Sequence, residues 1–92
     1  MSEELVVRRK RLKFRAWHRG TRETDLMIGR FADSHLDHFD TADLDRFEAL
    51  IEVPDLVLFD WLTGRAEPTP EFDHAVFRQM AAFVQTPVGQ TP

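Results

Sequence analysis

At 92 residues the chain has the size of one domain, and its lack of cysteine excludes disulfide frameworks, thiolate zinc sites, iron–sulfur clusters and cysteine nucleophiles. Its formal charge of −4 hides a polarity, because residues 1–22 carry eight Lys/Arg against two Glu while residues 23–92 carry four Arg against fourteen acids. The opening MSEELVVRRKRLKF places acids where a signal peptide needs bases, and no apolar run approaches a membrane span, so a soluble, cytoplasmic chain without membrane insertion is expected.

Every strong period in the chain is helical. Residues 4–18 predict a first helix, with Leu5, Leu12 and Ala16 on one stripe, Val7, Phe14 and Trp17 near another, and Arg8, Arg11, Arg15 and Arg19 along a third. Gly20 punctuates. A second helix is expected through TRETDLMIGRFADSHLDHF, with Leu26, Phe31 and Leu36 inward and Gly29 weakening its middle. Between the two lies HRGTRETD, where Gly20 fits an N-cap and Glu23 then falls at the third helical position, within reach of the cap. That geometry accounts for the glycine and the glutamate, but not for arginines flanking a helix start, where cations oppose the dipole.

Thr41 is expected to cap a third helix in which Leu44, Phe47, Leu50 and Ile51 recur at three and four, with Asp43 at its start. A fourth follows in PDLVLFDWLTG, opened by Pro54 and Asp55 and closed by Gly64 at C′, with Trp61 and Val57 reading as core. Thr69 and Pro70 are expected to open a fifth, with Phe72, Val76, Phe77, Met80, Phe83 and Val84 as its apolar face. Strand and hairpin signals are absent, so the expectation is an all-α bundle of five short helices spanning residues 1–86, with residues 87–92 a disordered tail.

Two chemistries merit weighing. DSHLDHFD sets His35 and His38 among Asp33, Asp37 and Asp40, and Glu71-x-x-His74 has the spacing di-iron bundles use twice, but it occurs here once, and solvated acidic surface is the simpler reading. Glycine-rich phosphate loops and hydrolase signatures are missing. RRKRLKFR, basic with an aromatic interleaved, suits phosphate contacts, which makes a small nucleic-acid binder using residues 8–22 the alternative reading. The acidic remainder opposes a duplex, and a basic helix complementing the protein's own acidic half explains the same run.

Taken in order, WHRGTRETDLMIGRFADSHLDHF and DLVLFDWLTGRAEP resemble the succinate dehydrogenase assembly factors, the SdhE-type flavinylation factors, over roughly residues 8–84. The hallmark R-G-x-x-E is Arg19, Gly20 and Glu23. The resemblance implies a non-enzymatic factor that binds the flavoprotein subunit of succinate dehydrogenase, or of fumarate reductase, and promotes covalent attachment of FAD there. FAD is then the client's cofactor, bound tightly by nothing in this chain, and neither metal nor nucleic acid is a partner. Carried onto this sequence, the implied contact residues are Arg19, Gly20 and Glu23, flanked by Arg15, Trp17, His18, Arg22 and Asp25. His18 stands where many bacterial members have a second arginine.

Overall fold

The first helix, α1 (Glu3–Trp17), buries Leu12 and Ala16 and packs Leu5 against the same core, as its first stripe requires. The computed structural model describes residues 3–85, so the expected tail at 87–92 lies outside the described residues. Four further helices follow: α2 (Arg22–His35), α3 (Thr41–Ile51), α4 (Asp55–Leu62) and α5 (Ala75–Gln85), with 3-10 turns at Leu36–His38 and Pro70–Phe72. The described residues contain no strand, and the fold is an all-α bundle.

Phe31 of α2 sits at the centre with no exposed surface, its ring 6.1 Å from Phe47, 6.1 Å from Phe39 and 5.7 Å edge-on from Phe83. Ile28, Ala32 and Leu36 join it from the same face, whereas Leu26, expected inward, is exposed. In α4, Leu58 and Leu62 are buried, Trp61 packs against Phe72 and Phe77, and Val57, expected in the core, faces out.

Helix ends follow local chemistry, in places shifted from expectation. Thr41 is not the cap of α3; Asp40 is, its carboxylate accepting the Asp43 N–H at 2.9 Å. Both residue types cap well, and the carboxylate adds favourable charge at the helix start. After α4, Gly64 adopts φ +83 as expected, with its N–H on Trp61 O and the Arg65 N–H on Asp60 O, a Schellman closure. Thr69 and Pro70 open only the 3-10 turn; α5 begins five residues later, where the Phe77 N–H donates to His74 Nδ1 at 3.2 Å.

That cap requires an unprotonated ring nitrogen. Burial, aided by the nearby Arg46 cation, pushes the His74 pKa below its ordinary value, so the neutral form is the one the fold favours. The cap's contribution is present in full above the unfolded pKa of about 6.5 and is lost as pH falls below it through the lower folded value. Melting temperature is therefore expected to step down on acidification below about pH 6.5. His74→Asn, which keeps a capping oxygen, should remove that step, while His74→Ala should cost about 1 kcal/mol at pH 8.

The basic face of α1 is largely satisfied inside the protein. Arg8 bonds Asp45 at 2.6 Å and Glu48 at 2.9 Å, and these hydrogen bonds hold its guanidinium more firmly protonated than usual. Arg15 pairs with Glu48 and Glu52, Lys13 with Asp37, and Arg9 donates to the carbonyls of Leu36 and Phe39. The Lys13 ammonium correspondingly lowers the Asp37 pKa. The charge polarity of the sequence is thus, in large part, one helix neutralised by α3 and the turn before it.

Candidate functional site

The segment from Trp17 to Asp25 links α1 to α2, and its conformation is fixed by a few polar contacts. Gly20 has φ +136, a backbone that side-chain-bearing residues adopt only with strain. It therefore is not the helix cap. Thr21, with φ −122 and ψ 152, takes that role, its hydroxyl accepting the Thr24 N–H at 3.2 Å. Glycine has no side-chain acceptor to offer a helix start, and the shift by one residue moves Glu23 to the second helical position, without the expected return contact to the cap.

Asp25 reaches back over this turn. Its Oδ1 accepts the backbone N–H of Arg19 at 2.6 Å and that of Gly20 at 3.3 Å, satisfying two backbone donors of the turn.

The Arg19 side chain points into the protein, with 8% of its surface exposed. Its Nε and Nη2 lie 2.8 and 2.7 Å from Asp55 Oδ1, Nη2 also donates to Val53 O at 2.8 Å, and Nη1 donates to Ile51 O. One guanidinium thus closes the end of α3, the connection after it and the start of α4. Its planar fork suits the task, since a lysine offers no comparable set of fixed donors. On the other side of Asp55, Oδ2 takes the hydroxyl of buried Thr24 at 3.4 Å, and that hydroxyl also lies 2.6 Å from the Thr21 hydroxyl. Asp55, Thr21 and Thr24 carry the site as much as the motif residues do, yet no local signal marks them. Asp55 reads in sequence only as a helix opener, and its partner lies 36 residues earlier.

The remaining motif residues turn outward. Gly20, Thr21, Arg22 and Glu23 are exposed, and neither Arg22 nor Glu23 has a partner among the described residues. Gly20, Thr21 and Arg22, with Trp17, His18, Asp25 and Leu26, border an open depression of about 610 Å³, and Glu23 stands outside its lining. Arg15 lies on the other flank, where it lines a second depression with Phe14, His18 and the 51–55 connection. His18 belongs to both rims; its Nδ1–H donates to Phe14 O at 2.7 Å and its ring stacks on Phe14.

Trp17 is half-buried and has a specific seat. Its indole N–H donates to Asp33 Oδ2 at 3.2 Å, and its ring lies directly on the backbone of Gly29, where any Cβ would overlap it. The glycine that looked like a weak point of α2 is there for this contact. Gly29→Ala is expected to lower stability by about 1–3 kcal/mol through displacement of the ring. In a Trp17→Ala background the same change should instead stabilise by up to about 1 kcal/mol, as helix propensity alone dictates. Thermal denaturation of the four proteins in this cycle reads the change of sign.

Most of the histidines and acids that raised the question of a metal are engaged within the fold, His74 among them as the cap of α5. His35 stacks on Phe31, Asp37 pairs with Lys13, Asp40 caps α3 and Asp33 holds Trp17. The described residues contain no cluster of three or more such side chains positioned for a metal. No helix among them is long and apolar enough to cross a membrane. The nucleic-acid alternative is not favoured either, since Arg8, Arg9, Lys13, Arg15 and Arg19 spend their donors within the fold.

Comparison with known proteins gives the family. Residues 10–84 match the family described as the flavinator of succinate dehydrogenase. The chain belongs to this family. Among its relatives, the FAD assembly factor SdhE of Acetobacter pasteurianus is 49% identical over 69 residues, covering 75% of this chain and 62% of that protein. The mitochondrial succinate dehydrogenase assembly factor 2 of Scheffersomyces stipitis is 35% identical over 68 residues, covering 74% and 46%. That of Dictyostelium discoideum is 31% identical over 75 residues, covering 82% and 53%. The chain thus spans about half to three-fifths of the length of these curated relatives. No solved structure matches it.

Proposed function

We propose that this protein is an assembly factor that binds the flavoprotein subunit of succinate dehydrogenase, or of the related fumarate reductase, in the cytoplasm and promotes covalent attachment of FAD to that subunit. The observation that carries this reading is the divided motif in a member of the flavinator family. Arg19 and Asp25 face inward and rigidify the turn, while Gly20, Arg22 and Glu23 face outward on it. A carboxylate on a fixed turn, with no partner among the described residues, makes charge-assisted hydrogen bonds to a client at low ordering cost. Gly20, with φ +136, gives the turn the backbone shape that presents Arg22 and Glu23.

The chain needs no chemistry of its own for this role. By binding one arrangement of the client's domains more tightly than others, it raises the population in which the client's own groups are aligned for the covalent step. FAD enters as the client's group, in keeping with a family described as the flavinator of succinate dehydrogenase. The Arg15, Trp17 and His18 side chains, on either side of the turn, complete the proposed contact surface.

Covalent flavin fluorescence of the client subunit in denaturing gels tests the proposal. In cells lacking this protein the band should be lost or strongly reduced, and expression of the wild-type chain should restore it. Equal fluorescence with and without the protein would contradict the assignment.

A further inference from the structure

The outer face of α1 has a composition that neither the fold nor the motif uses. With 100° per residue, Val6, Val7, Lys10, Arg11 and Phe14 fall on one outward arc, opposite buried Leu12 and Ala16, and His18 continues it into the turn. Val6, Val7 and Phe14 are 43%, 56% and 64% exposed, an apolar strip of a kind a helix normally buries. Among them stand Lys10 and Arg11, which have no carboxylate partner among the described residues. Arg8, Arg9, Lys13 and Arg15, on the same helix, are all bonded inward. A chain of net charge −4 therefore presents a locally cationic and apolar face.

That face is continuous with the motif. His18 stacks on Phe14 on one side and borders the Gly20–Leu26 depression on the other. We infer that the outer face of α1 is a second contact surface for the same flavoprotein client, taking an acidic segment that carries apolar side chains, with Phe14 as the apolar anchor and Lys10 and Arg11 as its charge partners. The inference rests on the client assignment above. An exposed aromatic beside cations without internal partners fits the usual anatomy of a protein interface core and rim. An anionic membrane surface is the less suited occupant: two cations without a carboxylate partner among the described residues, on a net acidic protein, are fewer than the basic clusters that bind such surfaces.

The test is the affinity of purified flavoprotein subunit for the full chain at low and high salt, with thermal melts of each variant. Phe14→Gln and, separately, Val7→Gln change exposed side chains, so melts are expected to stay near wild type. Phe14→Gln should weaken binding about tenfold or more. The double variant Lys10→Glu/Arg11→Glu should weaken it comparably at low salt, with the deficit shrinking as salt rises. Glu23→Ala is measured alongside. If the α1 variants bind as wild type while Glu23→Ala does not, the second surface is refuted and the motif reading stands. If only the α1 variants lose affinity, the second surface stands and the motif reading fails. Wild-type affinity in all variants refutes both. Binding of the wild-type chain to phosphatidylserine vesicles that is lost in Lys10→Glu/Arg11→Glu, with client affinity unchanged, also overturns the inference in favour of a lipid contact.

Discussion

Arg19→Ala is expected to destabilise the protein by about 3 kcal/mol or more, enough to lower the melting temperature by more than about 10 °C. The side chain is nearly inaccessible, and its removal strands the Asp55 carboxylate, itself only 22% exposed, together with the carbonyls of Ile51 and Val53. Breaking one partner of a buried charged pair costs more than the pair contributes, because the remaining charge keeps its desolvation penalty without compensation. Arg19→Lys should fall between, since an ammonium retains the charge opposite Asp55 but lacks the fork that reaches both carbonyls. Circular dichroism melts decide the matter, and a melting temperature within a few degrees of wild type for Arg19→Ala would contradict this account. A corollary follows for the motif: loss of function in Arg19 variants reports the integrity of the turn before it reports contact with a client.

Glu23→Ala is expected to behave in the opposite way. The side chain is exposed and has no partner among the described residues, so the fold loses only a favourable charge near the start of α2, worth about 0.3–1 kcal/mol. Client binding loses a charge-assisted hydrogen bond at the centre of the proposed surface, for which a weakening of about thirtyfold or more is the ordinary scale of a hot spot. Glu23→Gln separates charge from shape: it keeps the length and one carbonyl oxygen but loses the negative charge, and an affinity near that of Glu23→Ala would assign the effect to charge. The two ends of R-G-x-x-E are thus expected to separate, Arg19 variants losing stability and Glu23 variants losing client affinity.

Much of the helix plan is visible in the sequence, because apolar spacing and glycine chemistry are local. Gly64 closes α4 through the Schellman contacts its position suggests, and the sets Leu44, Phe47, Leu50, Ile51 and Val76, Phe77, Met80 are buried as their spacing requires. Where two residues of similar capping ability stand side by side, the structure moved the boundary, from Gly20 to Thr21 and from Thr41 to Asp40. Periodicity is equally blunt about neighbours on a helix, so Leu26 and Val57 face outward although their spacing is apolar. Thr69 and Pro70 mark a turn correctly but not the helix beyond it, because His74 supplies a better start for α5.

The candidate site was legible as a motif and illegible as a mechanism of support. That Arg19 turns inward depends on Asp55, Ile51 and Val53, which only tertiary folding brings to it. That Gly29 seats Trp17 depends on the angle between α1 and α2. The basic run, by contrast, was readable as self-complementation, because a dense cationic helix in an acidic chain has its counterions close at hand.

The measurement that tests the central claim most directly is the covalent flavin yield of the client subunit in cells where Glu23→Ala replaces the wild-type chain, with the purified variant melting as wild type does. The account predicts a yield near that of cells lacking the protein altogether. A wild-type yield from this folded variant would contradict it and return Glu23 to the status of an ordinary residue in the first turn of α2.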